Sequence, residues 1–308
     1  MWCITVGATA CAAVLVTIRA LADEALARAA APFLVLAPAA VWMGTSADAY
    51  FAAVAAWAVA LLALAVTGRS PWWAGVSGLL FGLTCYLSYG LTLVALIAAA
   101  VMVLGRHGIR GRPALLVPLL AGLAVVPTAF TLAGFNWWEA YHLLVTRYHQ
   151  GVGGIRPYGY WVWANLACTV LVTGLATAAG LRQTGAVLVR RRRDAPGRAA
   201  EARLALLVSA ALLALLVADL SGMSKAETER VWLPFTLWLL PACAFLTLPR
   251  GPGSSPKFST LPEQGDPHEQ GAPPSALGSP PRHCSPCSST ICCSPDGDRF
   301  RGGSSPRP

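Results

Sequence analysis

"LALLVSAALLALLVADLSGMSKAETERVWLPFTLWLLPACAFLTL", residues 204–248, decides the fold class. Two apolar runs flank a short polar segment that holds Lys225, Glu227, Glu229 and Arg230. A membrane-crossing helix needs about 20 predominantly apolar residues, and each run comes close to that length. The runs are continuous and rich in Leu and Ala. They lack the alternation of barrel strands, so they read as helices.

The same pattern recurs along the chain. Apolar runs lie near 3–20, 31–46, 48–67, 72–88, 89–104, 113–133, 159–180, 204–220 and 231–248. The expected fold is therefore all-α: a polytopic transmembrane helical bundle of about eight or nine spans. Composition agrees. Of 308 residues, 56% are hydrophobic and 12% charged. Soluble domains carry about 25% charged residues. The N-terminal run lacks a basic segment ahead of it, so it reads as a span rather than a signal peptide.

The net charge is +9 and rests on arginine, since lysine occurs only at 225 and 257. A basic balance can mark a nucleic-acid binder. Here the arginines sit in short loops between apolar runs, where they orient spans, so no nucleic-acid partner is expected. These are Arg19, Arg28, Arg69, Arg106, Arg110, Arg112, Arg182, Arg190–Arg193, Arg198 and Arg203.

Placing every basic loop on the cytoplasmic side fixes a parity. Arg69 and Arg106 share a side only if residues 72–104 cross an even number of times. That stretch is short for two full helices, and "YLSYG" (86–90) offers a break. A hairpin of two short helices over 72–104 is expected. The outer segments are then 44–50, 134–161 and 221–230. The middle one is rich in Trp and Tyr, suited to the headgroup layer, and "NWWEAYHLLVTRYHQ" (136–150) reads as an interfacial amphipathic helix. Parity also makes the first span run from outside to inside. A chain lacking earlier spans would show this.

Two domains follow: a transmembrane helical domain over 1–249 and a disordered tail over 250–308. The tail is dominated by Pro, Gly and Ser, which cannot bury enough apolar area to offset ordering entropy. Its Cys284, Cys287, Cys292 and Cys293 lack a complete zinc spacing. Cys3, Cys11, Cys85, Cys168 and Cys243 lie singly in apolar runs and read as small hydrophobes.

No nucleotide-binding loop, zinc-protease motif or nucleophile elbow occurs. No span carries a central charge of the kind ion-coupled carriers keep. Ionisable side chains instead collect at the outer ends of spans. The candidate substrate-binding residues are Asp48, Glu139, His142, Lys225 and Arg230. Each has a plain role as well. Asp48 suits a helix N-terminus. Glu139 and His142 suit a solvated helix face. Arg230 beside Trp232 suits an interfacial anchor. The sharper role for Arg230 and Lys225 is to hold a phosphate at the membrane surface. Asp219 is expected to pair with Lys225 or Arg230. No catalytic residue is assigned and no metal ligand is identified. A divalent metal ion is the one cofactor the chemistry would admit.

"ERVWLPFTLWLLPACAFL" (229–246) resembles the last-span motif of bacterial GT-C-type integral membrane glycosyltransferases, the polyprenyl-phosphate-sugar-dependent, mannosyltransferase-like group. "LVLAPAAVWMGTSADAYFAAVAAWAVALLALA" (34–65) is similar to that family's pair of helices joined at the outer face. "GLLFGLTCYLSYGLTLVALIAA" (78–99) is similar to its short hairpin, with Ser88 or Tyr89 where a Lys is common. The resemblance covers residues 1–248. It implies transfer of a sugar from a polyprenyl-phosphate-linked donor at the outer face of the plasma membrane. Partners would be membrane lipid and that donor, with Arg230 and Lys225 on phosphate and Asp48 and Glu139 on sugar or acceptor. The family's acidic first outer loop has no counterpart here, so the chain resembles an N-terminally truncated member, with an inactive fragment as one reading and the general base unassigned. The alternative is a multi-pass transporter or lipid flippase component without its own ATPase motif.

Overall fold

The computed structural model describes residues 2–68, 70–190 and 199–247, all within one unit, Met1–Ser254. Every described element is helical, so the all-α expectation holds. The tail with its cysteine cluster, and the basic run 191–198, lie outside the described residues.

The helices are α1 (Trp2–Leu21), α2 (Glu24–Val35), α3 (Ala39–Thr45), α4 (Asp48–Gly68), α5 (Pro71–Leu87), α6 (Val94–Leu104), α7 (Arg106–Gly111) and α8 (Leu116–Leu132). They continue with α9 (Trp137–Gln150), α10 (Val152–Ile155), α11 (Tyr158–Thr173), α12 (Leu175–Arg190), α13 (Ala199–Leu220), α14 (Thr228–Val231), α15 (Leu233–Thr236) and α16 (Ala244–Thr247).

The hub is α4. Its sequence is apolar all round, the pattern of a helix surrounded by others. Ala49, Ala52, Ala53, Ala55, Ala56 and Ala60 are each at most 1% exposed. Small side chains let neighbouring backbones approach, the main source of helix attraction where lipid competes equally for apolar surface. α1 lies along α4 with Gly7 over Ala49, and Trp57 donates its indole N–H to Thr9 Oγ1 at 3.0 Å. α5 returns alongside, and Ser77 donates to the Ala58 carbonyl at 2.7 Å.

Four helical segments are individually long and apolar enough to cross a membrane: Trp2–Leu21, Asp48–Gly68, Pro113–Leu132 and Ala199–Leu220. Two bent pairs raise the number to six. Breaks in the backbone explain why the remaining expected spans are not continuous rods. α2 and α3 meet at 65°, where Pro38 removes a backbone donor and Ala37 must leave helical geometry. α11 and α12 meet at 103° at Gly174, whose φ of +83° belongs to glycine. A Cβ on Gly174 would lie 3.8 Å from Pro38 Cδ, so the two breaks face each other. The expected interruption of 72–104 falls at extended Ser88, followed by a 3-10 turn over Tyr89–Leu93. The last segment is a chain of short turns restarted at Pro234 and Pro241. It is buried, with Trp232, Leu233, Leu237, Trp238, Leu239 and Leu240 inside the bundle.

α5 and α8 run parallel through a seam of glycines. Gly75, Gly78 and Gly82 face Pro118, Leu119 and Leu123, and Gly122 faces Gly75. A Cβ on Gly78 would overlap the Leu119 carbonyl oxygen, and one on Gly82 would sit 2.8 Å from that of Leu123.

Contacts sort the loops into two ends. At one, Arg203 donates to the Leu21 carbonyl at 3.1 Å, and Gly105 and Gly108 press on Val66. At the other, the first turn of α4 meets α14. Among the described residues, the contacts of Arg203, Gly105 and Gly108 and the Asp48–Arg230 contact thus fall at opposite ends of the bundle.

The seam predicts that Gly78→Ala costs about 1–3 kcal/mol through overpacking. Gly185→Ala, with open space around its Cβ, leaves stability equal or slightly higher. Thermal unfolding of both variants in detergent checks this.

Candidate functional site

The segment 219–230 forms the centre of the site. α13 ends at Leu220 and the chain turns at Ser221 and Gly222, where Gly222 takes φ +67°. The chain then passes through Ala226 at φ +80° and Glu227 at φ +57° before α14 begins. Two consecutive non-glycine residues in the left-handed region cost about 1–2 kcal/mol each, so the surroundings must hold them. Their effect is to turn the segment over. Lys225 ends up on one side and Arg230 on the other.

On the Arg230 side lies an ion pair of long reach. Arg230 Nη1 donates to Asp48 Oδ2 at 2.9 Å, and Nη2 donates to Glu227 Oε2. Asp48 is in the first turn of α4, where the helix N-terminus favours a negative charge. The Asp48 side chain is 16% exposed and that of Arg230 40%, so solvent screens the pair in part. The Asp48 hydrogen bond, then that of Glu227, raises the Arg230 pKa.

On the Lys225 side, donors from residues 148–165 reach backbone carbonyls of 220–225. Tyr158 Oη donates to Leu220 O at 2.9 Å and Tyr148 Oη to Gly222 O at 3.2 Å. Asn165 Nδ2 donates to Ser224 O at 2.7 Å, and Arg156 Nη1 donates to Lys225 O. Lys225 answers by donating Nζ to Gly153 O at 2.9 Å and Arg156 O at 3.1 Å. Arg156 also lies over the Trp161 ring, 5.1 Å from its centroid. Burial pushes the Tyr148 phenol up. Between the two strands of this clasp is an open cleft of about 380 Å³, lined among others by Arg147, Tyr148, Arg156, Lys225 and Glu227.

The expected pairing of Asp219 is corrected. Its carboxylate accepts from Asn165 Nδ2 at 2.9 Å, and neither Lys225 nor Arg230 reaches it. Asn165 sits inside the apolar run of α11, and burying its amide requires a polar partner, which Asp219 and Ser224 supply. Glu229 faces Cys168, with 3.6 Å between Oε2 and Sγ.

Of the five candidates, the structure brings Asp48 and Arg230 into contact and puts Lys225 on the adjoining cleft. Glu139 and His142 stand exposed on α9. Asn136 caps that helix, accepting from the backbone of Trp138 and Glu139. Its first turn is pinned by Trp137 Nε1 to the Cys85 carbonyl at 3.1 Å, and its last turn borders the cleft. Glu139, His142 and Arg147 make no ion pair with one another among the described residues. Arg156 and Asn165 are the residues that sequence reasoning missed, while Arg147 and Tyr148 were read only as parts of the interfacial helix. The available signal was "YHQGVGGIRPYGY" (148–160), where an arginine stands in a glycine-rich loop between aromatics.

Among the described residues, no group of three or more His, Cys, Asp or Glu is placed to hold a metal ion. The arrangement offers cations and hydrogen-bond donors at the end of a helical bundle, suited to an anionic ligand. No family model matches the chain, and neither a curated protein nor a solved structure does.

Two outcomes follow. A double-mutant cycle of Asp48→Asn with Arg230→Gln gives a coupling of about 0.5–1 kcal/mol in chemical unfolding, shrinking with added salt. Ala226→Gly relieves left-handed strain and raises the unfolding free energy by about 0.5–1 kcal/mol.

Proposed function

We propose that this chain is the membrane-embedded part of a GT-C-like glycosyltransferase. It crosses the plasma membrane eight or nine times, with α5 and α6 as a short hairpin, and takes a sugar from a polyprenyl-phosphate-linked donor at the outer face. The observation that carries the reading is the ion pair between Arg230 and Asp48, made across 182 positions of sequence. It sets a carboxylate beside a guanidinium at the end of the bundle that also presents Lys225.

The chemistry needs those groups. An acceptor hydroxyl attacks the anomeric carbon and loses its proton to a base. The bond from that carbon to the phosphate oxygen breaks, and charge collects on the departing polyprenyl phosphate. Arg230 stabilises that charge, which is worth most where water is excluded, and Lys225 adds positive charge from the adjoining cleft. Asp48 Oδ2 is held by Arg230, and its other oxygen accepts from a sugar hydroxyl. Glu139 and His142, on the exposed face of α9, meet the acceptor.

A second reading has its own support. Two bent helix pairs meet at Pro38 and Gly174, and transporters build their sites at such discontinuities. A lipid flippase component would therefore also use this architecture.

The test is reconstitution of the full chain in liposomes with a radiolabelled polyprenyl-phosphate sugar and a soluble sugar acceptor. The transferase reading expects labelled product, falling about 10²–10³-fold in Arg230→Gln and about tenfold in Asp48→Asn. Movement of the donor between leaflets with no product supports the flippase instead. Neither activity in a folded protein rejects both.

A further inference from the structure

The cleft between residues 147–156 and 223–231 has features that the Asp48–Arg230 pair does not use. Three cations line it: Arg147, Arg156 and Lys225. Among the described residues the one carboxylate on its wall, Glu227, is already bonded to Arg230. The local balance is thus positive in an open pocket of about 380 Å³.

The cations differ in what they are free to do. Lys225 Nζ is occupied by two carbonyls, and Arg156 by the Lys225 carbonyl and the Trp161 face. The Arg147 guanidinium makes no hydrogen bond or ion pair among the described residues. Its backbone is fixed in the last turn of α9, where its carbonyl accepts from Gly151 N at 3.0 Å. A guanidinium on a rigid helix end, with its donors unspent, fits a phosphate in a bidentate grip. The two engaged cations add charge close by without moving.

The surroundings say where that phosphate comes from. Large apolar side chains crowd the same elements: Trp138 on α9 is 68% exposed and Ile155 on α10 84%. Tyr160 and Trp163 on α11 are exposed as well. Aromatic residues of this kind sit at the level of lipid headgroups. Met223 and Val231 give the cleft an apolar wall. A ligand with a phosphate ester at one end and hydrocarbon at the other matches both parts.

We infer that this cleft is a seat for a phosphate ester, with Arg147 as the residue that grips it and Arg156 and Lys225 as fixed positive charges behind it. The seat stands on its own cavity and charges, and it holds whether or not the chain transfers a sugar.

The test uses the full chain purified in a neutral detergent. Binding is measured by calorimetry for four probes: dihexanoyl phosphatidylglycerol, farnesyl phosphate, inorganic phosphate, and dihexanoylglycerol, which lacks phosphate. The inference expects dihexanoyl phosphatidylglycerol or farnesyl phosphate to bind at least tenfold more tightly than dihexanoylglycerol. The tighter of the two identifies the source as a bilayer phospholipid or a prenyl phosphate, and binding of inorganic phosphate alone overturns the ester. Arg147→Ala should lower that affinity at least fivefold, with Arg147→Lys recovering part of it. Arg147 is exposed and unbonded, so both variants keep the fold, and unchanged thermal unfolding verifies that. Equal binding of all four probes, or binding that Arg147→Ala leaves unaltered, overturns the inference.

Discussion

Backbone polar groups away from water must find partners, and that constraint shapes this molecule more than any single contact. Long helices meet it internally. Wherever a helix is broken, something else must take over. At 220–225 the substitutes are the side chains of Tyr148, Arg156, Tyr158 and Asn165, each donating to a carbonyl of that segment. The segment can therefore keep a strained turn at Ala226 and Glu227. That turn directs Lys225 and Arg230 to different neighbours. Site geometry here is a by-product of hydrogen-bond accounting.

The hub has a matching role. α4 contains almost no side chain larger than valine at its buried positions, so α1, α5 and α6 pack close around it. A helix held on every side is a rigid mount. Asp48 stands in its first turn, so the carboxylate that receives Arg230 is mounted on the most buried of the long helices.

Much of the fold was legible because it follows from one-dimensional patterns. Apolar run length gave the helices. Arginine placement gave the two ends, and "YLSYG" gave the break at Ser88. Asp48 and Arg230 were placed at the same end by parity alone. What stayed hidden depends on pairs distant in sequence. The run 159–180 looked like one span, because Gly174 differs little from any helical glycine until its φ is seen. Asp219 was assigned a cation, because an amide inside an apolar helix is an inconspicuous partner. The cleft was missed for a related reason. Arg156 and Lys225 bind carbonyls, and a carbonyl acceptor leaves no trace in residue identity.

The glycine seam between α5 and α8 has a consequence for how the protein is made. Parallel neighbours cannot be joined by a simple turn, so the chain must return to its starting side before α8 can enter alongside α5. The 3-10 turn Tyr89–Leu93 and α6 together make that return. During synthesis α5 therefore emerges with its glycine face uncovered and waits through α6 and α7 for its mate. In that interval the exposed backbone of Gly75, Gly78 and Gly82 is open to any small-residue helix nearby. In the folded bundle it is α8 that covers that face.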